Sequence, residues 1–307
     1  MTIFLSFTST LLLLATVAGS LPLRGFYYDL AANFMLQYAI TAAVLLVLAL
    51  FAGSGFSLAC ATIALVLSLY QVSPFLLRTP FSQTPGPSVR ILQSNMLFTN
   101  RNIGGLMKLI ESDDPDVIVI CEANGGHAAY LRDIMRLYPY QLSEPQQKTP
   151  FGMAIASRLP LNNVQTDIFA DEGIAAFAAE IPRDGKTAIL LSVHLANPLK
   201  NFDLRERQLG VIARWVKAQR YPVIVTGDFN LTPYAQAYKD FVRATGLRSA
   251  RLGRGLHGTF HSKLPAIARL PIDHTFIGDG LGVRTYRTAV IDHSDHLGTV
   301  VTVVMQK

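Results

Sequence analysis

The sequence predicts a layered α/β domain behind an apolar, membrane-spanning N-terminal part, and three observations carry that expectation. Charge is partitioned: residues 1–77 hold one basic residue, Arg24, and one acidic residue, Asp29, so the other 230 residues carry the remaining 26 Lys and Arg and 20 Asp and Glu. The formal charge of +6 therefore belongs to the C-terminal part, which suits an anionic partner such as a phosphate-bearing substrate or a lipid head-group surface. The first part contains three apolar runs, and from residue 89 onward strand-like and helix-like patterns alternate.

The apolar runs are Thr2 to Leu23, Leu30 to Ala52 and Phe56 to Leu77. Each is long enough to cross a hydrocarbon core of about 30 Å as a helix. Gly53-Ser54-Gly55 joins the second to the third as a tight helical hairpin. A cleaved signal peptide is the competing reading of the first run, but it has no basic segment at its start and two further runs follow it. Residues 78–88 form a proline-rich linker, extended and semi-rigid, leaving residues 89–307 as one domain large enough for a sizeable core. Three spans put Arg24, Arg78 and Arg90 on the side of the domain, which by the positive-inside rule leans cytoplasmic. Cys60 and Cys121 lie in a span and in a strand and are not expected to pair.

In the domain, Val89 to Met96 reads as a strand carrying Asn95, Ile103 to Ser112 as a helix, and Asp116 to Cys121 as a buried strand. Glu122 emerges from Val-Ile-Val-Ile-Cys, where a carboxylate either reaches solvent or binds a cation. Gly125 to Leu137 looks helical. Phe151 to Ser157, Ala175 to Ile181 and Thr187 to His194 read as strands, the last ending on a histidine. An amphipathic helix, Leu204 to Arg220, delivers the chain to Tyr221-Pro-Val-Ile-Val-Thr-Gly-Asp-Phe-Asn-Leu-Thr-Pro233. There a β-branched strand runs into a glycine turn and presents Asp228 and Asn230, either as a plain turn or as a carboxylate beside an amide at a phosphate. Tyr234 to Thr245 reads as helix, and Arg248, Arg251 and Arg254 as a solvated basic loop. Pro271 to Ile277 is a strand carrying Asp273 and His274. The chain closes with Asp292-His-Ser-Asp-His-Leu297 and a strand from Thr299 to Met305.

The order of these signals is more specific than any one of them. Gln93-Ser-Asn95, Cys121-Glu122, Val193-His194, Thr226-Gly-Asp-Phe-Asn230, Ile272-Asp-His274 and Ser294-Asp-His296 resemble the motif series of the endonuclease/exonuclease/phosphatase superfamily across the whole C-terminal domain. The resemblance implies a four-layer α/β/β/α sandwich and a divalent-metal phosphoesterase site at one sheet edge. It assigns Asn95 and Glu122 to Mg²⁺ or Mn²⁺, with Asp295 for a second metal position. It also assigns Asp228 to the attacking water, Asn230 to a phosphoryl oxygen, His296 to the base or to phosphate stabilisation with Asp273 orienting its ring, and His194 to the phosphate or the leaving oxygen. Within the superfamily the chain is most similar to bacterial membrane proteins with about three N-terminal spans, the group that includes teicoplanin-resistance proteins. That likeness implies an extracytoplasmic domain acting on lipid-linked phosphate, against the charge signal. Two positions depart from the group: Leu195-Ala-Asn-Pro198 replaces a proline-rich run, and Gly298 replaces a frequent proline.

Three functions remain open on these residues. The first is an anchored metal-dependent phosphoesterase acting on a lipid-linked phosphate or pyrophosphate. The second is an anchored nuclease whose arginines between 248 and 254 track a phosphate backbone. The third is a catalytically silent scaffold on the same fold. Gly185-Lys186-Thr187 lacks the glycine five positions earlier that a phosphate-binding loop needs, Glu180 standing there, and no zinc-type cysteine cluster offers a competing enzyme motif.

Overall fold

The computed structural model describes residues 2–77, 85–146, 149–166, 168–169 and 175–306. Most of the expected linker, residues 78–84, lies outside them. Four helices come first: α1 (Thr2–Ser20), α2 (Phe26–Ala32), α3 (Met35–Phe51) and α4 (Gly55–Leu76). The first and fourth are long and apolar enough to cross a membrane, and α2 with α3 makes a third span if the bent pair counts as one. The expected span from Leu30 to Ala52 is thus corrected to two helices that meet at 57°. Within α2, before the break at Asn33 and Phe34, Asp29, the lone acid of this part, pairs with Arg205 of the domain. The hairpin at residues 53–55 is as expected, with the Ser54 side chain capping α4.

The domain contains β1 (Ser88–Asn95), α5 (Gly104–Asp113), β2 (Val117–Cys121), α6 (Gly125–Asp133), β3 (Tyr140–Glu144), β4 (Met153–Ser157), β5 (Asn162–Gln165), β6 (Ala175–Arg183) and β7 (Lys186–His194). It continues with α7 (Pro198–Lys217), β8 (Val223–Asp228), α8 (Gln236–Thr245), β9 (Arg248–Ser249), β10 (Asp273–Ile277), β11 (Leu281–Ala289) and β12 (Gly298–Met305). The strands form two mixed six-stranded sheets, ordered β11-β12-β1-β2-β4-β3 and β5-β6-β7-β8-β10-β9. Each sheet contains one parallel pair at its centre, β1 with β2 and β7 with β8.

The sheets face each other across a core that includes Ile91, Val119 and Val303 from one and Phe177, Leu190 and Ile224 from the other. Alternate residues of the central strands point outward into helices, so strands such as Val117–Cys121 are buried on both faces and read as unbroken apolar runs. Leu92, Ile118 and Ile120 meet Leu106 and Leu109 of α5 and Leu131 of α6. On the other side, Leu191, Val193 and Val225 meet Leu209 and Ile212 of α7 and Phe241 of α8. This is the four-layer sandwich, and its outer core does not stop at the domain: Ala32, Met35, Val72 and Phe75 of the N-terminal helices belong to the same apolar cluster as α7 and α8.

Helix α7 starts six residues before the expected Leu204, because Asn197 caps it and Pro198 occupies its first turn. A kink at Asn201 separates that first turn from the amphipathic part. The basic stretch is also corrected. Arg248 begins β9, Arg251 is 1% exposed and stacks on Phe75, and Arg254 donates to the Val283 carbonyl. The expected solvated loop is instead packed beneath the C-terminal end of α4, whose Pro74 and Phe75 carbonyls accept from Gly253 and Gly255.

Candidate active site

The site is built where the central strands end. Register pairs His194 with Asp228 and Asp273 with Asp228, so three polar residues from β7, β8 and β10 stand in one row. Gly227 makes the row possible. Its φ of +149° and its approach to Val193 are closed to other residues, because a Cβ there would collide with the Val193 carbonyl. In the facing sheet, Asn95 pairs with Cys121 and so comes beside Glu122. Glu122 itself is in the left-handed region at φ +58°.

Asn95 links the two sheets. Its amide nitrogen donates to Glu122 Oε1 at 2.9 Å and to Asp228 Oδ2 at 3.0 Å, while its oxygen accepts from the Leu97 N–H. Glu122 Oε2 accepts from the Phe98 N–H. Asp228 Oδ1 accepts from the Asn230 N–H, and Asp228 Oδ2 faces two imidazoles, His194 Nε2 at 3.7 Å and His296 Nε2 at 3.8 Å. Those separations exceed a hydrogen bond and leave the imidazole nitrogens open to a ligand oxygen. His296 Nδ1 donates to Asp273 Oδ2 at 2.8 Å. Asn230, at φ +47°, spends one amide N–H on the Leu195 carbonyl and keeps the second.

Burial and neighbouring charge set the protonation states. Burial works against charge on His296, but the carboxylates of Asp273 and Asp228 outweigh it and raise its pKa to about 10. Burial also works against charge on Asp273, and there the imidazolium wins, holding the carboxyl below its ordinary range. Asp228 is pushed up to about 6, first by burial and then by the Asp273 charge. The two carboxylates thus favour the imidazolium form of His296 over the neutral ring.

Sequence reasoning missed the layer behind these groups. Gln93 donates to Asp273 Oδ1 and accepts from the Thr299 hydroxyl, fixing the carboxylate from its far side. Ser294 donates to the Asn95 carbonyl and accepts from the His296 N–H. Arg205, 1% exposed, donates to the Asn230 carbonyl and to Asp29. Gln93 was findable, since it lies two residues before Asn95 on the same strand face. Asp29 was the signal for Arg205, because a carboxylate in an apolar segment requires a partner.

Which residues suit a cation follows from their commitments. Among the described residues, Asp228, Asp273 and His296 offer donor atoms within 4.8 Å of one another. The raised pKa of His296 works against its ligating, however, because a ligating imidazole must be neutral. Glu122 and Asp228 carry the hard oxygens that Mg²⁺ or Mn²⁺ prefers, and the donor set fits such an ion. Asn95 turns its amide nitrogen toward both carboxylates, so it holds them together where direct ligation was expected. Asp295, half-buried, lines the same cavity but stands outside the three-residue cluster.

The model of the Endonuclease/Exonuclease/phosphatase family matches residues 92–296, two thirds of the chain, from β1 through His296. The chain belongs to that family. Solved structures with the same fold include an endonuclease/exonuclease/phosphatase from Bacteroides vulgatus, 18% identical, with a TM-score of 0.61 over 71% of this chain and 99% of that one. The human nocturnin catalytic domain with bound sulfate is 19% identical, with a TM-score of 0.59 over 73% and 96%. Zebrafish (D. rerio) TDP2 complexed with a single-strand DNA product is 17% identical, with a TM-score of 0.57 over 70% and 98%. At such identities these likenesses establish the fold of the family and leave the substrate open. No curated protein matches the chain in sequence.

Proposed function

We propose that this member of the endonuclease/exonuclease/phosphatase family is a membrane-anchored, divalent-metal-dependent phosphoesterase that hydrolyses a phosphoester or pyrophosphate of a lipid carrier, with its catalytic domain on the extracytoplasmic side. The observation that carries the reading is that the polar strand ends and anchor helix α2 line one cavity. Glu122 would hold Mg²⁺ or Mn²⁺, which when bound would screen the charge of a phosphoryl oxygen, and Asp295 is the carboxylate left for a second ion. Asp228, ionised at neutral pH yet more basic than an ordinary carboxylate, orients the attacking water and accepts its proton. His296, charged and held by Asp273, directs Nε2–H at the phosphoryl oxygens as negative charge grows on them. Asn230 offers its second amide N–H to the same oxygens, and His194 stands across Asp228 to protonate the leaving oxygen.

The nuclease reading draws on the TDP2 neighbour and its DNA product. It loses its basic track here, because Arg251 is buried and Arg248 and Arg254 donate to the Leu281 and Val283 carbonyls. The deciding experiment is a turnover panel on the purified full-length protein with and without Mg²⁺, using a polyprenyl pyrophosphate, phospholipids, and single- and double-stranded DNA. Metal-dependent release of phosphate from the lipids is expected. Turnover confined to DNA, with steep salt dependence and no need for lipid, replaces this reading with the nuclease.

A further inference from the structure

The cavity at the site measures about 750 Å³, within the roughly 300–1,000 Å³ range of small-molecule sites. One end is polar, lined by Glu122, His194, Asp228, Asn230 and His296. The rest of its lining is largely apolar: Phe26, Leu30 and Phe34 from α2 and the break after it, Leu199 from the start of α7, and Leu270 and Ile272 from the approach to β10. Leu30, Phe34 and Leu199 are 38%, 37% and 72% exposed, a large apolar surface for groups beside a phosphate site.

The occupant is constrained from two sides. Of the two basic residues in the lining, Arg205 is buried against Asp29, leaving Lys200. A strand of successive phosphates needs a run of cations along its path, and this trough has none. The outer wall is α2, which is joined through a 57° bend to a helix that packs with two membrane-length helices. One wall of the trough, α2, therefore belongs to the apolar N-terminal part of the molecule. That arrangement matches a molecule with a charged phosphate at one end and methylenes at the other.

We propose that this trough holds the hydrocarbon chain of a phosphorylated lipid next to its phosphate, with Leu30 and Phe34 of the anchor and Leu199 of α7 as the residues that contact the chain. The anchor is then a wall of the substrate site, and chain length is part of what the enzyme recognises. The proposal rests on the phosphoesterase reading for the polar end of the cavity.

The test is a binding series on the full-length protein in nanodiscs with Mg²⁺. Straight-chain alkylphosphonates from ethyl to octyl are titrated below their micelle concentrations, with partition into empty nanodiscs subtracted. Burial of successive methylenes should tighten binding at least about 30-fold from ethyl to octyl, well below the gain for full burial. Leu30→Asn and Leu199→Asn should each flatten that series to about threefold or less, read as the slope within each protein. Leu199 is exposed enough for its variant to remain folded. A flat series in the native protein, or an unchanged slope in both variants, overturns the proposal. A single-stranded oligonucleotide that binds more tightly than octylphosphonate assigns the trough to nucleic acid and overturns it as well. If the slope is present but no lipid phosphoester is turned over, the trough stands and the phosphoesterase reading falls. If lipid phosphoesters are hydrolysed and the series is flat, the trough falls and the reading stands.

Discussion

In the proposed mechanism His296 acts as a charge, and the Asp273 carboxylate bonded to its ring favours that charge. Removing that carboxylate frees the ring and lowers its pKa, so both losses damage one transition-state interaction. Asp273→Asn and His296→Ala should each lower turnover by about 10² or more, and the double variant should be little worse than His296→Ala alone. Multiplying losses would make Asp273 an independent group. In Asp273→Asn the alkaline limb of the pH–rate profile should also move toward lower pH, because the imidazolium deprotonates earlier. At Glu122, Gln keeps the shape and removes the charge. Glu122→Gln should weaken Mg²⁺ binding and cut turnover at limiting metal by at least about tenfold, measured by metal titration of activity. Full activity at limiting Mg²⁺ removes Glu122 from the metal. The residues of this row were legible because each follows an apolar strand with an abrupt polar side chain. Ser294 was not, since sequence does not show which hydroxyl reaches the backbone of another strand, and Arg251 read as solvated because a buried guanidinium looks like any other arginine.

Among elements, β10 shows what a buried polar pattern costs. His274 projects to the helix side, its ring packed against Phe229, Tyr238 and Phe276, while Nε2–H donates to the Leu231 carbonyl at 2.7 Å. Burial, and after it the Arg251 charge, depress its pKa from 6.5 to about 3. The unfolded chain therefore binds a proton that the folded chain refuses, so stability is lost as pH falls from about 6.5 toward 3. His274→Gln keeps a donor for Leu231 and removes the titration, and should flatten that part of the acid limb in thermal melts. A limb of unchanged shape would show that other groups govern it. The long buried strands and the helices they alternate with were readable from periodicity. The short or exposed strands were not: β3, β5 and β9 carry two to five residues, and β3 and β5 are mostly exposed, so no alternation marks them. Strand β11 escaped because its polar run, Arg284 and Thr285, sits at a register shift. The break between α2 and α3 was hidden by hydropathy, which does not distinguish one straight span from two helices bent at Asn33 and Phe34.

At the scale of the molecule, the anchor and the domain are fastened by charge at the edge of the site. Arg24, the one basic residue before the linker, pairs with Glu206 at 3.0 Å and lies 3.6 Å from Asp240. If the domain lies on the extracytoplasmic side, as proposed, protease added to intact spheroplasts should digest it, and protection until permeabilisation would place it in the cytoplasm, as the charge rule leans. Asp29 and Arg205 make the deeper contact, both almost fully buried, and Arg205 passes it on to the Asn230 carbonyl. Breaking a buried pair leaves one charge uncompensated, whereas replacing both partners with apolar groups is often neutral for stability. Arg205 keeps Glu206 at 2.8 Å, so Asp29→Leu alone should cost less than the about 3–5 kcal/mol of an unpaired buried charge in nanodisc-embedded protein, and Asp29→Leu with Arg205→Met should recover most of it. Activity should not recover with it, because the double variant still lacks the donor that holds Asn230. Stability and turnover that return together would show the pair to be a fastening only. Stability without turnover would show that α2 positions the turn at Asn230 through Arg205, and that cutting the chain after α4 would remove part of the site.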